Sequence, residues 1–342
     1  MSEAPPFWFQ PRGIAAWLLA PLSLIYGSLA GYRMGRKAGH VSSAPVFCIG
    51  NFVVGGAGKT PTAIAIAALA RKRGLTVGFL SRGYGGQIAQ PALVDIDRHN
   101  ARDVGDEPLL LARHAPTVVS ADRPAGADML ESVGVDFIIM DDGFQNPSLH
   151  KDFSLAVIDA RRGIGNGFAF PAGPLRADMR TQLRAMSALL VVGAGEAGSG
   201  IVRKAARMAR PVVNATVAPK PDLSWSGQKV FAYSGIADAE KFHTSLVQAG
   251  AEIADSRDFG DHHIYSIEDC HTLLDQQGDD IVLATTAKDA ARLRGMGNMQ
   301  QRLVEASRVL EVELAFENPR MIEMFIEKTI SQARDFRLRK RR

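Results

Sequence analysis

Cysteine is nearly absent from this chain. The two copies, Cys48 and Cys270, lie far apart with no metal-like spacing. That excludes a disulfide framework and fits buried thiols in a reducing compartment. Net charge is also small, +4 over 342 residues. No RNP sequence or zinc-finger spacing accompanies it, so no nucleic-acid partner is expected. Internal repeats and low-complexity segments are missing. Residues 14–32 contain no charged side chain at all. The length suggests two domains, at roughly 150 residues each, and the apolar fraction of 46% is enough to fill their cores.

What is present begins with Val53-Val54-Gly55-Gly56-Ala57-Gly58-Lys59-Thr60. An apolar run precedes it and a helix-like run, 63–71, follows. The order is strand, glycine-rich loop, helix. The loop N–H groups of Gly55, Gly56, Ala57 and Gly58 then face a phosphate, and the helix start adds partial positive charge. Lys59 would reach the β- and γ-phosphates of ATP, and the Thr60 hydroxyl would hold Mg²⁺. The first glycine of the usual motif is replaced by Val53. The Gly-Lys-Thr ending and its context carry the assignment. Guanine specificity needs Asn/Thr-Lys-x-Asp; the nearest match, Pro219-Lys220-Pro221-Asp222, has proline in the wrong place.

From 41 to 217, short apolar strands alternate with helical stretches. Strands are expected at 46–49, 76–80, 117–119, 137–140, 155–158 and 189–192, with helices starting near Thr62, Asp106, Pro124 and Met179. Such alternation makes a mainly parallel sheet with helices on both faces, whose ligands sit beyond the carboxyl ends of the strands. The expected class is α/β: a P-loop NTPase-type sheet over 41–217, a second smaller α/β domain over 218–330, a membrane-associating helix within 1–40 and a basic tail, 331–342. Segments 212–217 and 309–316 are expected to pair as a two-stranded connection between the domains.

Chemistry-bearing residues cluster at the expected strand ends. Asp141 and Asp142 close an apolar strand, where one carboxylate reaches the Mg²⁺ sphere directly or through water. Asp106-Glu107 stands at a helix start, where acids are also favoured by the helix dipole; a carboxylate there can accept an acceptor hydroxyl's proton. Arg82, Arg123 and Arg176 lie in turn-like settings. Guanidinium groups bind phosphate there, although a surface salt bridge is the commoner role for any single one. Adjacent His262 and His263 point different ways in most backbones, so one histidine bound to an acid is expected rather than a two-histidine metal site.

The uncharged stretch 14–32 would span roughly 28 Å as a helix, close to the bilayer's hydrocarbon thickness. Phe7, Trp8, Phe9, Trp17, Tyr26 and Tyr32 surround it, and Arg33, Arg36 and Lys37 follow. Aromatic rings favour the membrane interface, and the basic cluster marks the cytoplasmic side. A spanning helix, an interfacial helix and a buried soluble helix all fit. Pro21, Gly27 and Gly31 weaken the spanning reading. A signal peptide has a similar outline, but would send an ATP-site domain to a compartment without ATP. The segment 334–342 carries six Arg or Lys residues. It reads as a solvated tail or as a contact for anionic headgroups.

Taken together, these motifs resemble the lipid A 4′-kinases, the tetraacyldisaccharide 4′-kinase family. The apolar N-terminus, Gly50-Asn51-Phe52 before the glycine loop, Ser81-Arg82-Gly83-Tyr84-Gly85, Gly105-Asp106-Glu107-Pro108, Asp141-Asp142-Gly143-Phe144-Gln145, Gly173-Pro174-Leu175-Arg176, Asp261-His262-His263 and Thr285-Thr286-Ala287-Lys288-Asp289 stand in the family's order over nearly the whole chain. The resemblance implies ATP-dependent phosphorylation of the 4′-hydroxyl of a tetraacylated glucosamine disaccharide 1-phosphate, at the cytoplasmic face of the inner membrane. It implies Lys59 and Thr60 for the phosphates and Mg²⁺, and Asp141 and Asp142 for the metal and its waters. Asp106 becomes the acceptor base paired with His262, Arg123 and Arg176 become phosphate contacts, and Glu107 positions the metal. Two positions depart from the family pattern: Ala177 stands where Glu is frequent, and Asn146 where many members have His. The competing reading is a membrane-associated ATPase switch of the partitioning type. It usually carries an extra lysine early in the loop, where this chain has Phe52-Val53-Val54.

Overall fold

The computed structural model describes residues 4–278 and 280–340. Thirteen strands follow in chain order among them. They are β1 (Val46–Asn51), β2 (Val77–Ser81), β3 (Ala92–Leu93), β4 (Thr117–Val119), β5 (Phe137–Asp141), β6 (Phe153–Asp159), β7 (Ala188–Val192), β8 (Val212–Pro219), β9 (Lys229–Ser234), β10 (Glu252–Asp258), β11 (Val282–Thr286), β12 (Ser307–Leu310) and β13 (Val312–Phe316). Nine of them form one sheet in the order β13-β8-β7-β6-β1-β5-β2-β4-β3, and four form another in the order β10-β9-β11-β12. All neighbours pair in parallel except β13 with β8 and β3 with β4 at the two edges of the large sheet. The central strands β1, β5, β6 and β7 are buried along their whole length. Helices cover both faces, so these strands read as apolar runs rather than alternating ones.

Helix α1 (Ile14–Met34) and helix α2 (Lys59–Lys72) flank β1 in sequence. The second unit adds α8 (Ala239–Gln248), α9 (Ile267–Leu274), α10 (Ala287–Leu293) and α11 (Asn298–Ala306), after α3 (Ala101–Val104), α4 (Asp106–Ala112), α5 (Arg123–Ser132), α6 (Met179–Ala185) and α7 (Ser199–Arg207) of the first. The expected two-stranded connection is present: Val312 pairs with Pro219 and Phe316 with Ala215. The segment 309–316 divides, however. β12 belongs to the small sheet and β13 to the large one. The last helix, α12 (Pro319–Lys340), also returns to the large sheet, where Ile322, Phe325 and Ile326 are buried with Phe153 and Leu155. The second unit expected over 218–330 therefore ends near Leu310. The expected tail 331–342 is helical as far as the described residues go, and Phe336 stacks on His150 at 4.2 Å. Residues 341 and 342 lie outside the described residues.

The N-terminal helix is the one helix among the described residues that is long and apolar enough to cross a membrane. It does not stand alone. Ala16, Ala20, Ser23, Gly27, Gly31 and Met34 form a buried stripe of mostly small residues at helical spacing. The stripe lies on the segment 168–178. Ser23 Oγ donates to Ala169 O at 2.7 Å, and Asp178 N donates to Gly27 O at 3.2 Å. A Cβ at Gly31 would stand 1.9 Å from Asp178 Oδ2. Asp178 in turn caps α6, accepting from Thr181 N at 2.9 Å. The opposite face carries Ile14, Leu18, Leu22, Ile25, Leu29 and Tyr32, all more than half exposed. One face therefore docks on the protein while the other presents bare hydrocarbon.

This packing predicts that Gly31→Leu drives Asp178 off the α6 cap and lifts α1. The lost cap alone costs about 1 kcal/mol. Limited tryptic cleavage at Arg33 and Arg36 should then accelerate. Unchanged cleavage and an unchanged melting temperature would show that α1 is held by other contacts.

Candidate active site

The glycine loop follows β1 at its carboxyl end, as the sequence predicts. Gly58 takes φ +85°, a left-handed conformation that only glycine adopts without strain, and α2 begins at the next residue. Lys59 and Thr60 are buried, at 7% and 3% exposure. The loop is braced from two sides. Asn51 Nδ2 donates to Gly55 O at 2.9 Å, and Val54 N donates to Pro174 O at 2.8 Å.

The register of the sheet carries the acids to the same place. Ile49 of β1 lies beside Asp141 of β5. Asp142, one residue beyond β5, adopts φ +49°, the left-handed region that Asp tolerates better than most residues. Lys59 Nζ lies 3.9 Å from its Oδ2, and Arg176 Nη1 donates to its Oδ1 at 2.7 Å. Burial opposes ionisation of Asp142, but Lys59 and Arg176 outweigh it and hold the carboxyl down at about 2. Arg176 also donates through Nε to Val53 O at 2.9 Å, so one guanidinium joins the glycine loop to Asp142.

Asp141 is different. It is completely buried, and neither carboxylate oxygen has a hydrogen-bond partner among the described residues. Burial, then the nearby Glu107 charge, pushes its carboxyl up to about 7 against the pull of Lys59. A carboxylate buried without a partner is costly, so Asp141 is the one acid of the site left unbalanced by its neighbours. No group of three or more His, Cys, Asp or Glu side chains among the described residues is arranged to hold a metal.

The third part comes from β2, α4 and the second unit. Asp106 opens α4 and is 5% exposed. Its Oδ2 lies 3.3 Å from His262 Nδ1, and its Oδ1 accepts from Glu107 N at 2.9 Å. The expected pairing of one histidine with an acid is seen, and His262 adopts φ +58° to reach it. Burial opposes ionisation, but the His262 hydrogen bond and the Arg292 charge hold Asp106 well below the usual carboxylate range. The same hydrogen bond raises the His262 imidazole. His263 points elsewhere, to Asp269 at 3.1 Å, the acid that forms the capping box of α9 with Ser266. Glu107 accepts from Lys288 Nζ at 2.6 Å.

Arg123 departs from the surface-turn setting. It is 2% exposed, and its Nη1 donates to Ser81 O and Ser120 O at the ends of β2 and β4. Burial and the Arg82 charge lower its guanidinium to about 10. It ties the strand ends together beside the acids. Arg82 itself is exposed. Two residues that the sequence reading did not single out join the site: Lys288, on Glu107, and Arg292, on Asp106 at 2.7 Å. The only sequence signal was Thr285-Thr286-Ala287-Lys288-Asp289, a motif to which no role was attached. Ala177 is fully buried, and its carbonyl accepts from Gln182 Nε2. Asn146 serves the turn, accepting from Ser148 N and Oγ.

A family model described as tetraacyldisaccharide-1-P 4′-kinase matches residues 15–331. A tetraacyldisaccharide 4′-kinase of Rhizobium etli is 49% identical over 340 residues, covering 99% of this chain and 98% of the relative. That of Agrobacterium fabrum is 49% identical over 335 residues, covering 98% and 96%. That of Rhizobium meliloti is 48% identical over 343 residues, covering 100% and 99%. The fold matches a crystal structure of LpxK from Aquifex aeolicus in complex with ATP, with a TM-score of 0.69, 24% identity and coverage of 92% of this chain and 99% of that one. The chain belongs to the tetraacyldisaccharide-1-P 4′-kinase family.

Proposed function

We propose that this protein transfers the γ-phosphoryl group of ATP to the 4′-hydroxyl of a tetraacylated glucosamine disaccharide 1-phosphate, a step of lipid A synthesis at the cytoplasmic face of the inner membrane. The observation that carries this reading is the convergence, at the carboxyl ends of the strands, of an anion-binding loop, an orphaned buried carboxylate and a histidine-paired aspartate. Family membership supplies the acceptor. A switch ATPase, the other reading of such a loop, needs no Asp106–His262 pair.

In this reading the N–H groups of Gly55 to Thr60 cradle the β- and γ-phosphates, and Lys59 adds its charge. Asp141, Asp142, the Thr60 hydroxyl and Glu107 would hold Mg²⁺, which supplies neutralisation of the phosphate oxygens when bound. Arg176 keeps Asp142 aimed at that position and has further N–H groups for a phosphate oxygen. Arg123 acts from behind, fixing the strand ends rather than touching phosphate. Asp106 orients the acceptor hydroxyl. In a loose transition state the hydroxyl keeps its proton until late, so a carboxylate of low basicity is adequate to receive it. His262 donates to Oδ2 and holds the carboxylate in place for that transfer. The helix α1 rests on 168–178, the segment that also supplies Pro174 and Arg176 to the site. An acceptor held by its acyl chains beside α1 would therefore meet the site without leaving the bilayer.

Asp106→Ala should retain ATP binding while transfer falls roughly 10²–10⁴-fold; ATP affinity and labelled-lipid formation are the two readouts. Unchanged transfer would remove Asp106 from its role.

The orphaned Asp141 gives a pH prediction. Its raised value means that the fold binds this proton more tightly than the unfolded chain does. The contribution favours the metal-free fold at low pH and is lost as pH rises from 3.8 toward about 7. Asp141→Asn should therefore melt above the native protein at pH 8 without metal, and lose the stabilisation that Mg²⁺ gives the native protein. A lower melting temperature would contradict the assignment.

Leu18→Lys combined with Leu22→Lys, on the exposed face of α1, should reduce co-sedimentation with anionic vesicles while leaving hydrolysis-independent ATP binding intact. Unaltered sedimentation would move the membrane contact elsewhere, the basic end of α12 being the next candidate.

A further inference from the structure

Helix α10 crosses from the second unit to the first, and two of its side chains end on the Asp106-Glu107 pair. Lys288 and Arg292 are four residues apart, hence on one helix face. Lys288 meets Glu107, and Arg292 meets Asp106. Ala291 beside them is buried against Val104, Leu109 and Leu110 of the first unit. The contact is thus packed as well as ionic.

Arg292 is itself held from behind. Its Nε donates to Asp106 Oδ2 at 2.7 Å, with Nη2 at the same distance, while Nη1 donates to Asp289 Oδ1 at 2.8 Å and to Gly235 O. Asp289 is 0% exposed. It accepts from Gly235 N at 3.0 Å, the Tyr265 hydroxyl at 2.9 Å and the Thr286 hydroxyl at 2.6 Å. A fully satisfied acid therefore fixes the guanidinium, and the guanidinium fixes Asp106. His262, which approaches the same oxygen, also comes from the second unit. Asp106 is thus oriented by two groups that its own unit does not contain. This explains what the Thr285–Asp289 motif does: it builds the support on which Arg292 stands.

We propose that Arg292 is a positioning residue for phosphoryl transfer, acting through Asp106 and coupling its orientation to the docking of the second unit on α4. The proposal rests on the role given to Asp106 above.

The test is a double-mutant cycle on the full-length protein, with single-turnover transfer from γ-labelled ATP to the lipid acceptor. Arg292→Met should lower the transfer rate about 10²-fold, the usual cost of a misplaced catalytic group, with the KM for ATP changed less than about threefold. Arg292→Lys restores one charged donor and should recover to about a tenth of native rate, still well short of native, by the same reasoning. In the Asp106→Ala background, adding Arg292→Met should cost less than about twofold, because the group it positions is gone. Should Arg292→Met not fold, the cycle is run with Arg292→Lys, which should lose several-fold in the native background and nothing in Asp106→Ala. A transfer rate near native in the Arg292 variants, or a double mutant whose loss is the product of the single losses, would overturn the proposal. If Asp106→Ala itself leaves transfer intact, the base reading fails first, and the two failures are told apart.

Discussion

Buried charge must be balanced before the strand ends of this protein can form. Lys59, Asp106, Asp141 and Arg292 are each less than a tenth exposed, and an uncompensated buried ion costs several kcal/mol. The chain meets that constraint by alternating signs across the site. Lys59 and Arg176 face Asp142, Lys288 faces Glu107, and Arg292 lies between Asp106 and Asp289. Asp141 is left over, and its carboxyl stays up at about 7 as a result. The imbalance is local, and it is the reason Asp141 is proposed as a ligand of a bound cation.

The same constraint explains why two units are needed. The first unit brings the glycine loop and the acids together through sheet register alone, since β1 and β5 are adjacent. It does not by itself neutralise Asp106 and Glu107. Those partners arrive on α10 and the His262 turn. The paired strands β8 and β13 make that arrival orderly, because the chain leaves and re-enters the first sheet at neighbouring edge positions. The α1 face adds the last element. Its small-residue stripe lies against the segment that reaches the glycine loop, so a hydrocarbon surface and a phosphate site share one support.

Much of this was legible in the residues. Strands buried on both faces leave uninterrupted apolar runs, which is why β1, β5, β6 and β7 were readable within a residue or two. The glycine loop and the paired acids were readable because their chemistry demands particular residue types at strand ends. Edge elements were not. β10 reads Glu-Ile-Ala-Asp-Ser-Arg-Asp, and a solvated edge strand need not alternate. The pairing of β13 with β8 was expected from two extended segments, but the return of α12 to the first sheet depends on tertiary packing that no local pattern encodes. Arg292 shows the limit most sharply. It sits inside an ordinary helix, and its partner Asp106 is 186 positions away. Arg123 was readable as important, but its burial behind the strand ends was not.

The central claim is that this charged strand edge passes phosphate to a lipid sugar rather than to water. The most direct measurement incubates the detergent-purified protein with γ-labelled ATP, Mg²⁺ and tetraacyl disaccharide 1-phosphate, and follows the label, with Lys59→Ala as control. The account predicts labelled lipid carrying the new phosphate on the 4′-oxygen, absent in the control. Label released only as inorganic phosphate, with the lipid unlabelled, would contradict it.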